Sequence, residues 1–169
     1  MKQEELSILD RFDTVWQRVT AGNGGAETTP APVPARETAM LEELMDGTVR
    51  AWSRYTALAR RTGGTHARQL AALAGSARDH LRKLQLEYFL AAGDTYAPGE
   101  PPRTAFGLLT ELREAYRGEL ALAEQFAAAG RYAPSRRNLY ESCAGTCLNR
   151  ADRVKTLIAT GFGAAGMRN

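Results

Sequence analysis

The residues of this chain with the most chemical reach are the cysteines Cys143 and Cys147, one helical turn apart, and the histidine His80. They belong to two stretches of similar make: Leu73-Ala74-Gly75-Ser76-Ala77-Arg78-Asp79-His80 and Cys143-Ala144-Gly145-Thr146-Cys147-Leu148-Asn149-Arg150, which share an Ala-Gly-Ser/Thr element. A thiol at Cys147 could hold a soft metal or act as a redox group, and an imidazole at His80 could be a metal ligand. The plainer reading is structural: a small buried thiol at Cys147 and a hydrogen-bonded core histidine at His80. Closing a disulfide between Cys143 and Cys147 inside one regular helix would require local distortion, so none is expected there. A second echo pairs Gly47-Thr48, with Thr48 seven residues before Tyr55, with Gly118-Glu119, where Glu119 lies seven residues before Phe126. The chain therefore reads as two helix pairs of one design.

Glycine and proline mark the elements that must carry these residues. Breaks at Gly22 to Pro34, Gly63-Gly64, Gly93 to Pro102 and Gly130 to Pro134 separate stretches rich in Ala, Leu, Arg and Glu, all good helix formers. No stretch alternates in the manner of a strand, so the fold class is all-α. The predicted helices run from Thr38 to Arg61, from Thr65 as N-cap to Ala92 with Gly93 as the stop, from Thr104 to Ala129, and from Pro134-Ser135 to just before Gly161. Short links make the helices of each pair antiparallel. The Gly93–Arg103 connection, at ~3.3 Å per residue, can span roughly 36 Å and so cross from one end of a bundle to the other. Such a crossover would set the two repeated stretches opposite each other at mid-height.

An amphipathic helix is expected ahead of the bundle within residues 1–19, with Ile8, Phe12, Val15, Trp16 and Val19 on its apolar face. The organisation is thus 1–19 for this arm, 20–36 for a flexible Pro/Gly-rich linker, 37–160 for the four-helix bundle and 161–169 for a tail. The arm either docks on its own bundle or a dimer mate, which makes a homodimer the expected assembly, or inserts into the groove of a partner protein. With 169 residues, 44% hydrophobic content and a net charge of +3 spread over mixed signs, the chain suits one soluble domain and lacks the basic stripe of a nucleic-acid binder. No stretch approaches the ~20 apolar residues of a membrane span, the start does not read as a secretory signal, and two cysteines make no disulfide framework. A cytoplasmic location is expected.

The helix pattern, the Gly47-Thr48 and Gly118-Glu119 positions and the Ala-Gly-Ser/Thr segments resemble the ferritin-like, rubrerythrin-like superfamily and its small bacterial ferritin-like domain proteins, over residues 38–160. The resemblance implies a ferritin-like four-helix bundle with a long crossover between its second and third helices. It also implies six metal ligands, a Glu from the first helix and a Glu-x-x-His from the second helix of each pair. Carried over position by position, these fall on Thr48, Ala77 and His80 in the first pair and on Glu119, Cys147 and Arg150 in the second. Only His80 and Glu119 keep ligand identity; Thr48, Ala77, Cys147 and Arg150 are replacements. A di-iron cluster needs several anionic ligands, and Arg150 brings a permanent cation to an imidazole position. The expectation is therefore no metal and no cofactor, a core ion pair between Glu119 and Arg150, and a non-catalytic scaffold or interaction protein. The alternative is a metal-binding protein or a peroxide or iron oxidoreductase that holds iron or another divalent metal on the remnant His80, Glu119 and Cys147, with Asp46, Asp79 or Glu141 compensating. Trp52, Tyr55, Tyr88, Phe89, Tyr116 and Phe126 are read as filling the core or its edges.

Overall fold

The computed structural model describes residues 35–163 apart from 102, 104 and 105. The N-terminal arm with Ile8, Phe12, Val15, Trp16 and Val19, the linker as far as residue 34, and the tail from residue 164 lie outside the described residues. Among the described residues the chain is all-α. Four helices follow one another: α1 (Ala35–Arg61), α2 (Gly64–Ala92), α3 (Leu108–Tyr132) and α4 (Arg137–Gly163), with a single 3-10 turn at Pro134–Arg136 between the last two.

Several ends differ from the sequence expectation, each for a local reason. Thr38 lies inside α1, its hydroxyl bonded back to the Ala35 carbonyl at 2.9 Å, so the helix begins before it. Thr65 does not cap α2; the capping position is Gly63, in an extended conformation and without a side-chain bond. Gly93 does end α2: its φ of 69° is left-handed, and its N–H reaches the Phe89 carbonyl. α3 starts at Leu108 rather than Thr104, where Glu111 in the first turn accepts the Phe106 N–H at 3.4 Å. It continues through Gly130, because that glycine faces the corner with α4, its absent Cβ lying only 3.5 Å from Tyr140 Cβ. Pro134 goes into the 3-10 turn, so α4 begins at Arg137, and it runs past Gly161.

α1 packs along α2 and α3 along α4, while α1 against α3 and α2 against α4 complete the group. The side-chain contacts give the directions. Arg36 stacks over Tyr132, Arg54 meets Glu111 and Arg61 donates to the Phe106 carbonyl, so α1 and α3 run opposite ways. Ser76 meets Arg150 and Glu87 meets Arg136, which makes α2 and α4 antiparallel too. At one end Arg136 bridges Glu37 of α1 and Glu87 of α2, fixing the start of the second hairpin to the first. The connection after α2 touches α1 at two heights: Tyr96 and the Gly99 N–H bond Asp46, and Phe106 is held by Arg61.

Two apolar clusters fill the interior. One holds Leu41, Leu44, Met45, Leu84, Phe126, Tyr140 and Cys143, and the other Tyr55, Leu58, Leu70, Leu73, Leu112, Val154 and Leu157. On three helices the changeover between them falls at a buried position, Ala77 and His80 on α2, Glu119 on α3 and Arg150 on α4, and on α1 it falls between Val49 and Tyr55, just after the buried Thr48. The interior is thus two hydrophobic halves with a layer at mid-height that is mostly polar. No helix of the described residues is long and apolar enough to cross a membrane.

Candidate functional site

The layer is built around Arg150, which rises from α4 one turn after Cys147 and is 1% exposed. Its guanidinium grips Glu119 of α3 as a fork: Nε donates to Oε1 and Nη2 to Oε2, each at 2.9 Å. Planar two-point pairing of this kind is the strongest geometry an arginine offers a carboxylate. The remaining N–H groups point at Ser76 Oγ (3.2 Å), His80 Nδ1 (3.4 Å) and Cys147 Sγ (3.2 Å). A guanidinium has five N–H donors, and all five have an acceptor here. The Tyr55 hydroxyl of α1 donates to Glu119 Oε1 at 2.8 Å, so four helices meet in one network.

Burial sets the protonation of the members. It opposes the Arg150 charge, yet the hydrogen bonds and charge of Glu119 outweigh it and hold the guanidinium above its ordinary pKa. Burial, with the Glu119 charge second, raises the Tyr55 hydroxyl well above the phenolic range, so it is a permanent donor. Burial pushes the Cys147 thiol up to about 12, and Cys143 is raised by the same cause. Both thiols are free and buried, and neither is a ready thiolate. His80, 4% exposed, is brought down to about 4, first by burial and second by the Arg150 charge. Its Nδ1 must accept from Arg150, which assigns the proton to Nε2.

A histidine whose pKa is lower folded than unfolded binds its proton more readily in the unfolded chain. Its contribution is therefore intact above the unfolded value near 6.5 and is lost progressively as pH falls toward the folded value of about 4. The loss should total about 3 kcal/mol, since one pKa unit corresponds to ~1.4 kcal/mol. Chemical denaturation at steps from pH 7 to pH 4 is expected to show this slope, and His80→Asn should flatten it; an equal slope in the variant would assign the acid sensitivity elsewhere.

The structure brings His80, Glu119, Cys147 and Arg150 together, and leaves the other two transferred positions out of the network. Thr48 is fully buried but its hydroxyl turns back to the Leu44 carbonyl at 2.7 Å, and Ala77 offers no donor atom. The compensating carboxylates are elsewhere: Asp46 holds Tyr96 and Gly99, Asp79 pairs with Arg82 in solvent, and Glu141 is exposed. Tyr55 and Ser76 are also members of the network, although by residue type Tyr55 reads as core filling and Ser76 as part of a repeat. The signal was spacing: Tyr55 is two turns beyond Thr48, and Ser76 sits one turn before His80 on the same face.

Comparison with known protein families, characterised proteins and solved structures found no match. Among the described residues no three of His, Cys, Asp and Glu are grouped to hold a metal ion. Both oxygens of Glu119 are turned to Arg150, and the free nitrogen of His80 faces the same cation. This donor set does not suit a pair of iron ions.

Proposed function

We propose that the chain is a ferritin-like four-helix bundle in which an arginine–glutamate pair stands where relatives carry a di-iron centre, and that it works as a non-catalytic scaffold or interaction protein. The observation that carries this reading is the fully bonded Arg150 fork on Glu119. A cation placed between the remaining ligand-type groups repels metal and satisfies the carboxylate that metal would otherwise neutralise. Support for the ferritin-like topology comes from the antiparallel contacts of α1 with α3 and α2 with α4, and from the connection that touches α1 first at Asp46 and then at Arg61. That path fits the long crossover of such bundles. A cytoplasmic homodimer, with the residue 1–19 arm offering Ile8, Phe12, Val15, Trp16 and Val19 to a partner protein, belongs to the same proposal.

Its test is elemental analysis of the full chain after incubation with ferrous iron, manganese and zinc and removal of free metal. The expected result is no stoichiometric metal. Two metal ions per chain would overturn the proposal and favour a ferritin-like oxidoreductase.

A further inference from the structure

A cavity of about 230 Å³ lies between α1 and α3, directly above the Tyr55 and Glu119 end of the buried layer. Gly47 of α1 and Gly118 of α3 both line it. A Cβ on Gly47 would meet Leu122 Cδ1 at 2.9 Å, and one on Gly118 would come within 3.5 Å of Arg54 Nη1. Two guanidinium ends converge on this space, Arg54 Nη1 over Gly118 and Arg50 Nη2 at 3.7 Å from the Cβ position of Gly47. Gln125 adds an amide at the same height, its Oε1 also 3.7 Å from that position. The rest of the lining is small and apolar, from Ala51, Ala115, Ala121 and Leu122.

The charges do not cancel. Glu119 is matched by Arg150, and Arg54 Nε stands 3.3 Å from Glu111 Oε2, though buried and without a hydrogen bond of proper angle. Arg50 makes no hydrogen bond or ion pair among the described residues. The cleft therefore carries one net positive charge at its mouth, beside a short apolar wall. A monoanion with a compact apolar tail complements both features, whereas a phosphate would bring a second charge and no apolar surface.

We propose that this α1–α3 cleft binds a short-chain aliphatic monocarboxylate, its carboxylate held by Arg50 and Arg54 and its tail against Ala51, Ala115 and Leu122. The assignment rests on the cleft alone and stands whether or not the bundle is ferritin-like. Butyrate is the probe, titrated into the full chain and followed by amide NMR, with inorganic phosphate and 1-butanol as comparators. The expected result is saturable binding of butyrate that moves the Gly47 and Gly118 amides, with neither comparator reproducing it. Arg50→Gln, an exposed change that breaks no described contact, should weaken binding about tenfold or more, in line with the loss of a charge-assisted bond. Gly118→Ala, whose Cβ meets Arg54 at ordinary contact distance, should fold normally and bind more weakly. Absence of saturation, equal binding of phosphate or butanol, or unchanged affinity in Arg50→Gln would each overturn the proposal.

Discussion

Replacing Arg150 by Met is expected to cost about 3–5 kcal/mol in stability, because it leaves the Glu119 carboxylate buried with no cation beside it. The two groups are each 1% exposed, so water cannot take over the lost bonds without opening the core. Urea denaturation at pH 7 measures the cost directly. The informative companion is Arg150→Met with Glu119→Gln. The amide keeps an acceptor for the Tyr55 hydroxyl, and the charge that needed the guanidinium is gone. Most of the stability should return, since a buried ion pair exchanged as a whole for neutral groups is often close to neutral in effect. A double variant as weak as the single one would mean that Arg150 matters through its packing and its bonds to Ser76, His80 and Cys147. In that case Glu119 would be a bystander.

The helical architecture was open to sequence reading because composition and punctuation agree. Ala/Leu/Arg/Glu runs have no competing strand pattern, and Gly93 meets a true need for a left-handed residue. The misread ends follow from the surroundings of each residue rather than from its type. Gly130 and Gly161 carry stop chemistry in isolation, but each packs against a neighbouring helix, Gly130 at the corner with α4 and Gly161 beside His66 of α2, while Thr65 is passed over because Gly63 takes the capping position. The centre was legible in part for a different reason. The ligand positions that the ferritin-like resemblance implies put Glu119 and Arg150 at one height of the bundle, and an acid beside a permanent cation there reads as a pair. The hydroxyls that complete the network, Tyr55 and Ser76, are marked only by their spacing from Thr48 and His80, a weak sign because a tyrosine or serine on a helix face has many uses. The α1–α3 cleft was hidden altogether: Gly47 and Gly118 read as repeat markers, and the convergence of Arg50 and Arg54 on them depends on side-chain conformation.

The proposed ferritin-like kinship can be tested by installing the ligands that the resemblance implies. Thr48→Glu, Ala77→Glu, Cys147→Glu and Arg150→His together with the native His80 and Glu119 would recreate the six-ligand set that the resemblance implies. All six positions are buried, which is the first requirement of such a centre. Removing the long Arg150 side chain also vacates the space and the positive charge that two cations would take up. Four carboxylates in a dry interior repel one another, so the variant should be poorly folded without metal and should fold when divalent metal is supplied, with binding and folding measured as one event. Cobalt added during refolding is expected to give about two bound ions per chain and a cooperative thermal transition that a chelator abolishes. The shift should be the largest of any variant considered, because metal binding of this kind contributes on the order of 10 kcal/mol to folding. A variant that folds equally well with and without metal, or that takes up ions only at its surface, would mean that these six positions do not face a common point. The ferritin-like assignment would then fail, while the Arg150–Glu119 network would still stand on its own geometry.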